Sequence, residues 1–254
     1  MPTEPLSGLL VLPGVPEAVA DVRAAVDRTL AHRIIRRKSS QVAAESSLRG
    51  AWAAAWLAGA RLPLAHVREG GDDALADPIL QGALRAYGAL GELADVWGRA
   101  PRQVLARAHV LAAADLVDDA FSLGTPRAGG AVAVRLDTLA QTLVTTSAPA
   151  VVIAAIVHAE VAALDAFPPV SGVVARVAAR CVLIDRGLDP SSVVIAEVGQ
   201  RDMSDAHRSA LAGYGSGATG LATWIRHYAS TVTAGAVETL AICEALQRGA
   251  ISGA

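Results

Sequence analysis

The chain has 254 residues, of which 53% are hydrophobic and 18% charged, so it can bury a sizeable core and is not expected to be disordered. Its 22 basic and 24 acidic side chains give a net charge of −2, which excludes the strong positive field typical of nucleic-acid-binding proteins. Aromatic residues make up only 4%, and alanine, the best helix former, supplies much of the apolar content. The composition therefore predicts an all-α fold of closely packed helices.

Helical periodicity covers most of the chain, and several of the predicted helices begin at a proline. In chain order the predicted helices span residues 16–33, 42–60, 78–99, 101–116, 132–145, 149–164, 169–186, 204–211 and 218–248. Polar or glycine-rich loops are predicted at 67–77 and 118–130, and Ser204 is the expected N-cap of its helix. Residues 193–195 are the one short run with β character.

The predicted elements divide the chain into an N-terminal helical segment, residues 1–41, and an all-α domain, residues 42–254. The only dense basic run, residues 33–38, lies near the end of the first part. It has no interleaved aromatic side chains, so a solvated helix face is preferred over a phosphate-binding patch.

The cysteines and the apolar runs indicate the cellular compartment in which we expect the protein. Cys181 and Cys243 lie in apolar helical contexts without a Cys-x-x-Cys partner, which indicates buried free thiols in a reducing cytoplasm. The apolar run near the N-terminus has no basic region before it, so no secretion signal is expected. The most apolar run, residues 148–157, is too short to span a bilayer. We therefore expect a cytoplasmic protein without membrane or nucleic-acid partners.

A glycine pattern occurs late in the chain. Gly215, Gly217 and Gly220 match the Gly-x-Gly-x-x-Gly pattern of dinucleotide-binding proteins. That pattern binds a pyrophosphate only between a buried strand and a helix. Because residues 206–214 resemble the end of a helix, a turn between helices is the preferred interpretation. An NAD(P)-dependent oxidoreductase is the alternative that depends on this motif alone.

The histidines show no metal-binding pattern. His158 and Glu160 have the His-x-Glu spacing of zinc deaminases, but the Pro-Cys-x-x-Cys pair that would complete such a site is missing. The other histidines are scattered singly: His32, His66, His109, His207 and His227. Each is interpreted as a structural residue with satisfied hydrogen bonds, and no metal site is predicted.

The most informative stretch is the helix predicted from about Pro168 to Gly187. Two prolines turn the chain before it, and Ser171 and Gly172 allow a close approach to the backbone at its start. The open amides and the positive dipole end of a helix start favour an anion. This turn is therefore a candidate anion site.

Two arginines on the same helix support two interpretations. Arg176 and Arg180 lie four residues apart, so their like charges repel unless an anion lies between them. In the preferred interpretation a local acid such as Glu160 or Asp137 pairs with them. In the other, they line an anion pocket.

These residues resemble the signature of the Fic (Fido) family, His-x-Phe-x-Asp/Glu-Gly-Asn-Gly-Arg-x-x-Arg followed by a helix that ends in Gly-Leu. Phe167, Gly172, Arg176 and Gly187-Leu188 fall in register with it. The stretch 224–228 is similar to the tryptophan-aromatic segment of the family's C-terminal part. The resemblance covers roughly residues 45–235 and implies a Fic-like helical bundle. Active members use ATP and Mg²⁺ to transfer AMP to a target hydroxyl.

The departures fall on the residues that carry the family's chemistry. Asp165 stands at the position of the catalytic histidine, the general base, and Pro169 at that of the acid that holds Mg²⁺. Ser171 replaces the asparagine of the phosphate-binding turn, Val170 its first glycine and Val173 its first arginine. Transfer needs both a base and neutralised phosphates, so the resemblance implies little or no activity.

Many members of the family also carry an inhibitory Ser/Thr-x-x-x-Glu-Gly helix, whose glutamate pairs with the last arginine of the signature. The matching stretch here is 54–59. Ala54 takes the hydroxyl position and Ala58 the glutamate position, while Gly59 is retained. A pocket that does not catalyse a reaction needs no inhibitor. The loss of the catalytic residues therefore agrees with the loss of the inhibitory residues.

The sequence thus predicts a Fic-like pseudoenzyme that acts as a binding or regulatory module. Its anion or nucleotide pocket is formed by Ser171, Gly172, Arg176 and Arg180. An unknown protein partner and a homodimer belong to this hypothesis, which includes no cofactor. The alternative is an active Fic-type AMP transferase, which uses Asp165 as an unconventional base together with ATP and Mg²⁺.

Overall fold

A computed structural model describes residues 4–249, which form thirteen α-helices and a short 3₁₀ turn (Ser7–Leu9) and contain no β-strand. The all-α class is therefore confirmed. The helices are α1 (Val15–Leu30), α2 (Arg33–Ala58), α3 (Leu64–Glu69), α4 (Asp72–Ala76), α5 (Pro78–Gly88), α6 (Leu90–Trp97), α7 (Pro101–Ala113), α8 (Gly130–Thr145), α9 (Ala150–Ala163), α10 (Ser171–Asp185), α11 (Ala196–Asp202), α12 (Ser204–Ala212) and α13 (Gly217–Arg248).

The centre of the bundle is the pair α9 and α10, which pack against each other along their length. Residues 151–161 of α9 and 173–183 of α10 are all buried. A helix that is apolar on all sides is expected to be surrounded by others. Here α10 contacts α2, α6 and α7, while α9 contacts α8 and α13. The start of α10 is consequently fixed by packing on several sides.

The longest helix, α13, packs against α11 and α1 with backbones in close approach. A Cβ built on Gly235 would lie 2.4 Å from both the carbonyl carbon and the oxygen of Ile195. No side chain fits there without moving backbone. On the α1 side, the Thr29 hydroxyl donates to the carbonyl oxygen of Ala236 at 3.2 Å. The N-terminal helix is therefore attached to the rest of the bundle through α13.

The predicted division into residues 1–41 and 42–254 falls inside α2, and it stays a prediction. This helix is interrupted only by a kink at Lys38, where φ is −138° and ψ is 36°. The basic run 33–38 forms its beginning, with Arg36, Arg37 and Lys38 exposed. That exposure agrees with a solvated helix face.

The structure departs from the predicted elements in several places. The predicted loop 67–77 contains the second half of α3 and all of α4, and the helix predicted at 78–99 is divided at Ala89 into α5 and α6. α11 was not predicted, and α12 begins at Ser204 with Met203, not Ser204, at its N-cap. Helices of five to eight residues are unstable alone, and α11 is stabilised here by packing against α2 and α13.

Residues 193–195 are not a strand but an irregular buried segment before α11. The amides of Val193 and Val194 donate to the two carboxylate oxygens of Asp189, at 3.1 and 2.8 Å. A side chain therefore satisfies the backbone groups that a neighbouring strand would otherwise satisfy.

Cys181 and Cys243 are buried free thiols, as predicted. Burial raises the pKa of the Cys181 thiol to about 12. A thiol that stays protonated is a weak nucleophile and metal ligand, so both cysteines act as small core residues.

One described helix, α13, is long enough and, over its most apolar window of 18 residues, apolar enough to cross a membrane. Half of that window is buried inside the protein. A core helix of a bundle passes the same test, so this is weak support for a membrane span.

Candidate functional site

A cavity of about 360 Å³ lies at the N-terminus of α10, a volume within the usual range of small-molecule sites. Its walls come from the end of α2, from α9, from the α9–α10 connection and from α12. Three arginines line it, Arg61, Arg176 and Arg208, against one carboxylate, that of Asp165. The cavity therefore has an excess of positive charge.

The start of α10 is built by the connection that precedes it. Val170 occupies the N-cap without a side-chain hydrogen bond, so the amides of the first turn stay open. The Ser171 hydroxyl donates to Oδ1 of Asp165 at 2.7 Å and accepts from the amide of Phe167 at 2.8 Å. Ser171 therefore holds the turn together, and its amide, not its hydroxyl, is available to a ligand.

Arg176 is the buried cation of the cavity, with 7% of its surface exposed. Its Nε donates to Gln200 Oε1 and its Nη1 to the carbonyl oxygen of Gly172, both at 2.8 Å. Within residues 4–249, Nη2 has no hydrogen-bond partner and no carboxylate lies within 4.0 Å of the guanidinium. Burial lowers the pKa of Arg176, yet arginine remains charged at neutral pH.

Gly172 makes this arrangement possible. A Cβ at that position would lie 2.9 Å from Nη1 of Arg176, so any larger residue would push against the guanidinium. The glycine of the signature thus permits the arginine to fold back onto the first turn of its own helix.

The structure does not bring Arg180 to the cavity. This side chain is 2% exposed, and its Nη2 donates to the carbonyl oxygen of Ser192 at 2.7 Å. Its Nη1 lies 3.5 Å from the carboxylate of Glu197, which also accepts from the hydroxyl of Tyr87 at 2.9 Å. Arg180 therefore belongs to a buried network one turn further along α10, away from the cavity.

The acids suggested as partners of the two arginines are engaged elsewhere. Glu160 accepts from both Arg135 and the hydroxyl of Tyr214, the latter at 2.6 Å. Asp137 pairs with Arg102 on the surface. The prediction of these two partners was wrong because the faces of α8 and α9 that carry them point to other neighbours.

Asp165, at the position of the family's catalytic histidine, lines the cavity with its side chain half-exposed. One carboxylate oxygen accepts from Ser171 and the other pairs with Arg127. Its backbone has φ of 44°, in the left-handed region that aspartate tolerates better than most residues. Both oxygens are therefore already engaged, which is unfavourable for a general base.

The residues at this turn do not fit a magnesium ion. Mg²⁺ prefers oxygen ligands, usually one or two carboxylates together with phosphates. Pro169, at the position of the family's metal ligand, has no side-chain oxygen, and among the described residues the only acid lining the cavity is the engaged Asp165.

The two alanines of the degenerate inhibitory stretch are placed differently. Ala58 is exposed on the last turn of α2 and lines the cavity. Ala54 is fully buried one turn earlier and does not line it. Gly59 ends α2 with φ of 121°, a conformation that favours glycine. The position that would carry the inhibitory glutamate thus faces the candidate site.

Sequence reasoning missed a cluster of histidines beneath the cavity. His158 of α9 and His207 of α12 both line it, with ring centroids 5.2 Å apart. Nδ1 of His207 lies 3.2 Å from Nε2 of His227 on α13. The ring of Trp224 packs 5.3 Å from His158 and that of Tyr228 5.7 Å from it.

The expectation that each of the five scattered histidines has satisfied hydrogen bonds was wrong for His207, and His158 is also unsatisfied. Both ring nitrogens of His158 and Nε2 of His207 are buried without a hydrogen-bond partner in the described part of the chain. Burial, reinforced by neighbouring histidines and Arg176, lowers the pKa of His158 well below its usual value and that of His207 to about 2. By contrast, His109 is bound through both nitrogens, to Pro168 and Gly124.

One signal for this cluster was present in the sequence. His158 lies in the most apolar helix, and a helix that is apolar on all sides must also bury its polar residues. Nothing in the sequence showed that His207 and His227 approach it, because that depends on how α12 and α13 pack.

The Gly215–Gly220 pattern occupies the turn between α12 and the start of α13. A helix precedes it where the dinucleotide pattern requires a buried strand. The observed context agrees with a turn between helices, and the cavity at α10 is formed by other residues.

Comparison with known proteins supports the fold assignment. The structure is similar to the crystal structure of a Fic family protein from Desulfovibrio desulfuricans G20, with a TM-score of 0.76 and 19% sequence identity. The match covers 91% of this chain and 75% of that one. No protein-family model and no curated protein sequence matches the chain. At this identity the likeness establishes a Fic-like fold, and the predicted Fic-like helical bundle is confirmed.

Proposed function

We propose that this protein binds a small phosphorylated ligand of the nucleotide class at the start of α10 and does not transfer its nucleotidyl group. The observation that carries the proposal is that Arg176 is buried without a carboxylate partner among the described residues. It is a buried cation in a cavity, and within residues 4–249 one terminal nitrogen lacks a hydrogen-bond partner. A buried charge without a counter-ion is unfavourable, and a bound phosphate would supply one.

The start of α10 adds to the attraction for phosphate. The open amides of Ser171 and Gly172 and the positive end of a fifteen-residue helix lie at the same cavity. In the resemblance to the Fic signature, the family's phosphate-binding turn corresponds to these residues, and this supports the proposed location. The backbone amides, the helix dipole and the guanidinium of Arg176 would therefore all attract the same bound anion.

The mouth of the cavity supports a ligand with a flat ring. The guanidinium carbon of Arg61 lies 3.9 Å from the centroid of the Trp56 ring, and both residues line the cavity. Indole and guanidinium planes both stack well on nucleobases. A nucleotide combines such a ring with a phosphate.

Several features argue against transfer. Asp165 has both carboxylate oxygens engaged, and Pro169 offers no oxygen for a metal ion. Nucleotidyl transfer needs a proton acceptor and neutralisation of the phosphate charge at the same time. We therefore propose binding, with a regulatory or partner-recruiting role, in place of the family's chemistry.

Isothermal titration calorimetry with AMP, ADP, ATP and inorganic phosphate tests the binding. We expect saturable binding of at least one nucleotide, lost in Arg176→Met. Arg208→Gln is the matched control, because Arg208 lies at the rim with its side chain 75% exposed and paired with Asp205. Removing it should weaken binding only slightly and mostly at low salt. Absence of binding by all four compounds would refute the proposal.

Incubation with labelled ATP and Mg²⁺ distinguishes the alternative, an active AMP transferase, from the proposed binding role. Label transfer to the protein itself or to proteins of a lysate, lost in Asp165→Ala, would overturn the non-catalytic proposal. A protein partner and a homodimer stay predictions, and light scattering after size-exclusion chromatography measures the second.

A further inference from the structure

Three histidines connect the cavity at α10 with a second surface depression. His158 and His207 line the cavity, and His227, half-buried, lines a depression between α12 and α13. His207 lies between the other two, with its Nδ1 3.2 Å from Nε2 of His227 and its ring 5.2 Å from that of His158. The three rings form a continuous chain from one surface to the interior of the site.

The hydrogen bonding of this chain is incomplete. Both nitrogens of His158 and Nε2 of His207 lack partners in the described part of the protein, although both residues are at least 97% buried. The ring of His158 is enclosed by those of Trp224 and Tyr228, which offer it aromatic contacts in place of hydrogen bonds. Buried polar atoms without partners are rare and need an explanation, and a ligand is one.

Burial and the surrounding charges together decide the protonation of the cluster. Arg176 of α10 is the cation that opposes a proton here, and Tyr228 of α13 is neutral because burial raises its pKa. The histidines face each other from α9, α12 and α13. Of the nearby acids, Asp165 is paired with Arg127 and Glu160 with Arg135. Next to Arg176, and with no free carboxylate among the described neighbours, the cluster is neutral, in agreement with the lowered pKa values of its histidines.

We propose that this histidine cluster takes up one proton from solvent when an anion binds at Arg176, so that the protein binds its anion together with a proton. The inference rests on the proposed function, because it needs an anion at Arg176. Burial is the largest cause of the lowered pKa values of His158 and His207, and Arg176 adds to it. A bound anion offsets the charge of the guanidinium and places a negative charge beside the cluster, and both changes favour an imidazolium. Uptake stops at one proton, because two adjacent imidazolium ions would repel each other.

The geometry indicates the path by which the proton enters and the charge of the anion that binds best. His227 reaches the second depression, and its contact with His207 allows the proton to pass inward without crossing the cavity. A guanidinium together with an imidazolium matches two negative charges. We therefore expect doubly charged phosphate monoesters or sulfate to bind better than singly charged anions.

Proton uptake makes affinity depend on pH. If one proton enters with the anion, the association constant rises by up to about tenfold for each pH unit lowered. Inorganic sulfate is the most suitable probe, because it remains doubly charged near neutral pH and any pH dependence then comes from the protein. Titration calorimetry in two buffers of different protonation enthalpy counts the protons directly.

We expect close to one proton per sulfate at about pH 6, a region in which histidine titrates. Sulfate binding without proton uptake would overturn this inference and leave the proposed function standing. Absence of binding by sulfate and by every phosphate compound at each pH would overturn both. These two results are distinguishable in the same titration series.

Variants locate the proton. His207→Gln should lower the proton count and flatten the pH dependence, whereas His66→Gln, a surface histidine paired with Asp73, should keep both. A measurement on the unaltered protein covers the case in which His207→Gln does not fold. In ¹⁵N spectra of labelled histidine, sulfate should convert one imidazole from the neutral to the protonated form, and no conversion would contradict the inference.

Discussion

Acid should destabilise the ligand-free protein through its buried histidines, and His207 gives the clearest case. Burial is the main reason that its pKa in the folded protein is about 2, against an ordinary value of 6.5 that the unfolded chain is expected to keep. Below pH 6.5 the unfolded chain therefore binds more protons than the folded protein. Stability is full above that pH and falls as the pH decreases towards the folded value.

The size of the effect follows from the same two values. One pH unit of difference corresponds to about 1.4 kcal/mol, so at about pH 5 His207 lowers the free energy of unfolding by about 2 kcal/mol relative to neutral pH. Because the residue is only 3% exposed, screening by solvent does not reduce this figure much. His158, fully buried beside it, acts in the same direction.

Urea denaturation followed by circular dichroism at about pH 7 and about pH 5 measures this loss. In His207→Gln the difference between the two pH values should be smaller by about 2 kcal/mol, whatever the variant does to stability at neutral pH. His66→Gln should retain the difference of the unaltered protein. The reasoning is refuted if His207→Gln loses as much stability on acidification as the unaltered protein does.

Other predictions concern packing and the inhibitory position. Gly235→Ala should destabilise the protein by about 3 kcal/mol, because the new methyl group would meet the backbone of Ile195, and thermal or urea unfolding measures it. Gly91→Ala in α6, where a Cβ meets nothing within 4 Å, should be neutral or slightly stabilising; equal losses in both variants would contradict the packing argument. Ala58→Glu should reduce phosphate or nucleotide affinity at least tenfold by pairing with Arg176, whereas Ala58→Gln should reduce it much less. If calorimetry gave similar affinities for these two variants, residue 58 would not lie within reach of Arg176 as argued.

Much of the local structure could be predicted because its causes are local. Prolines at helix starts and glycines at helix ends gave the approximate positions of α7, α9 and α10, and alanine content with low aromatic content indicated an all-α fold. The candidate turn at Ser171 and Gly172 was found in the same way, since helix starts have open amides wherever they occur. The short helix α11 was missed because packing against α2 and α13, and not propensity, stabilises it. The helices α3 and α4 were missed because they lie in a polar stretch with glycines between them.

The sequence by itself determined the approximate positions of most of the longer helices, the buried thiols and the degenerate signature that contains Gly172 and Arg176. Only the tertiary structure decided which of two arginines four residues apart meets an acid: Arg180 reaches Glu197 of α11, whereas Arg176 faces the cavity. It also brought His158 and His207 together from helices far apart in the chain. The physical reason is that charge pairing and burial depend on distances between helices, and hydrophobic periodicity fixes which face of a helix turns inward but not which neighbour it meets.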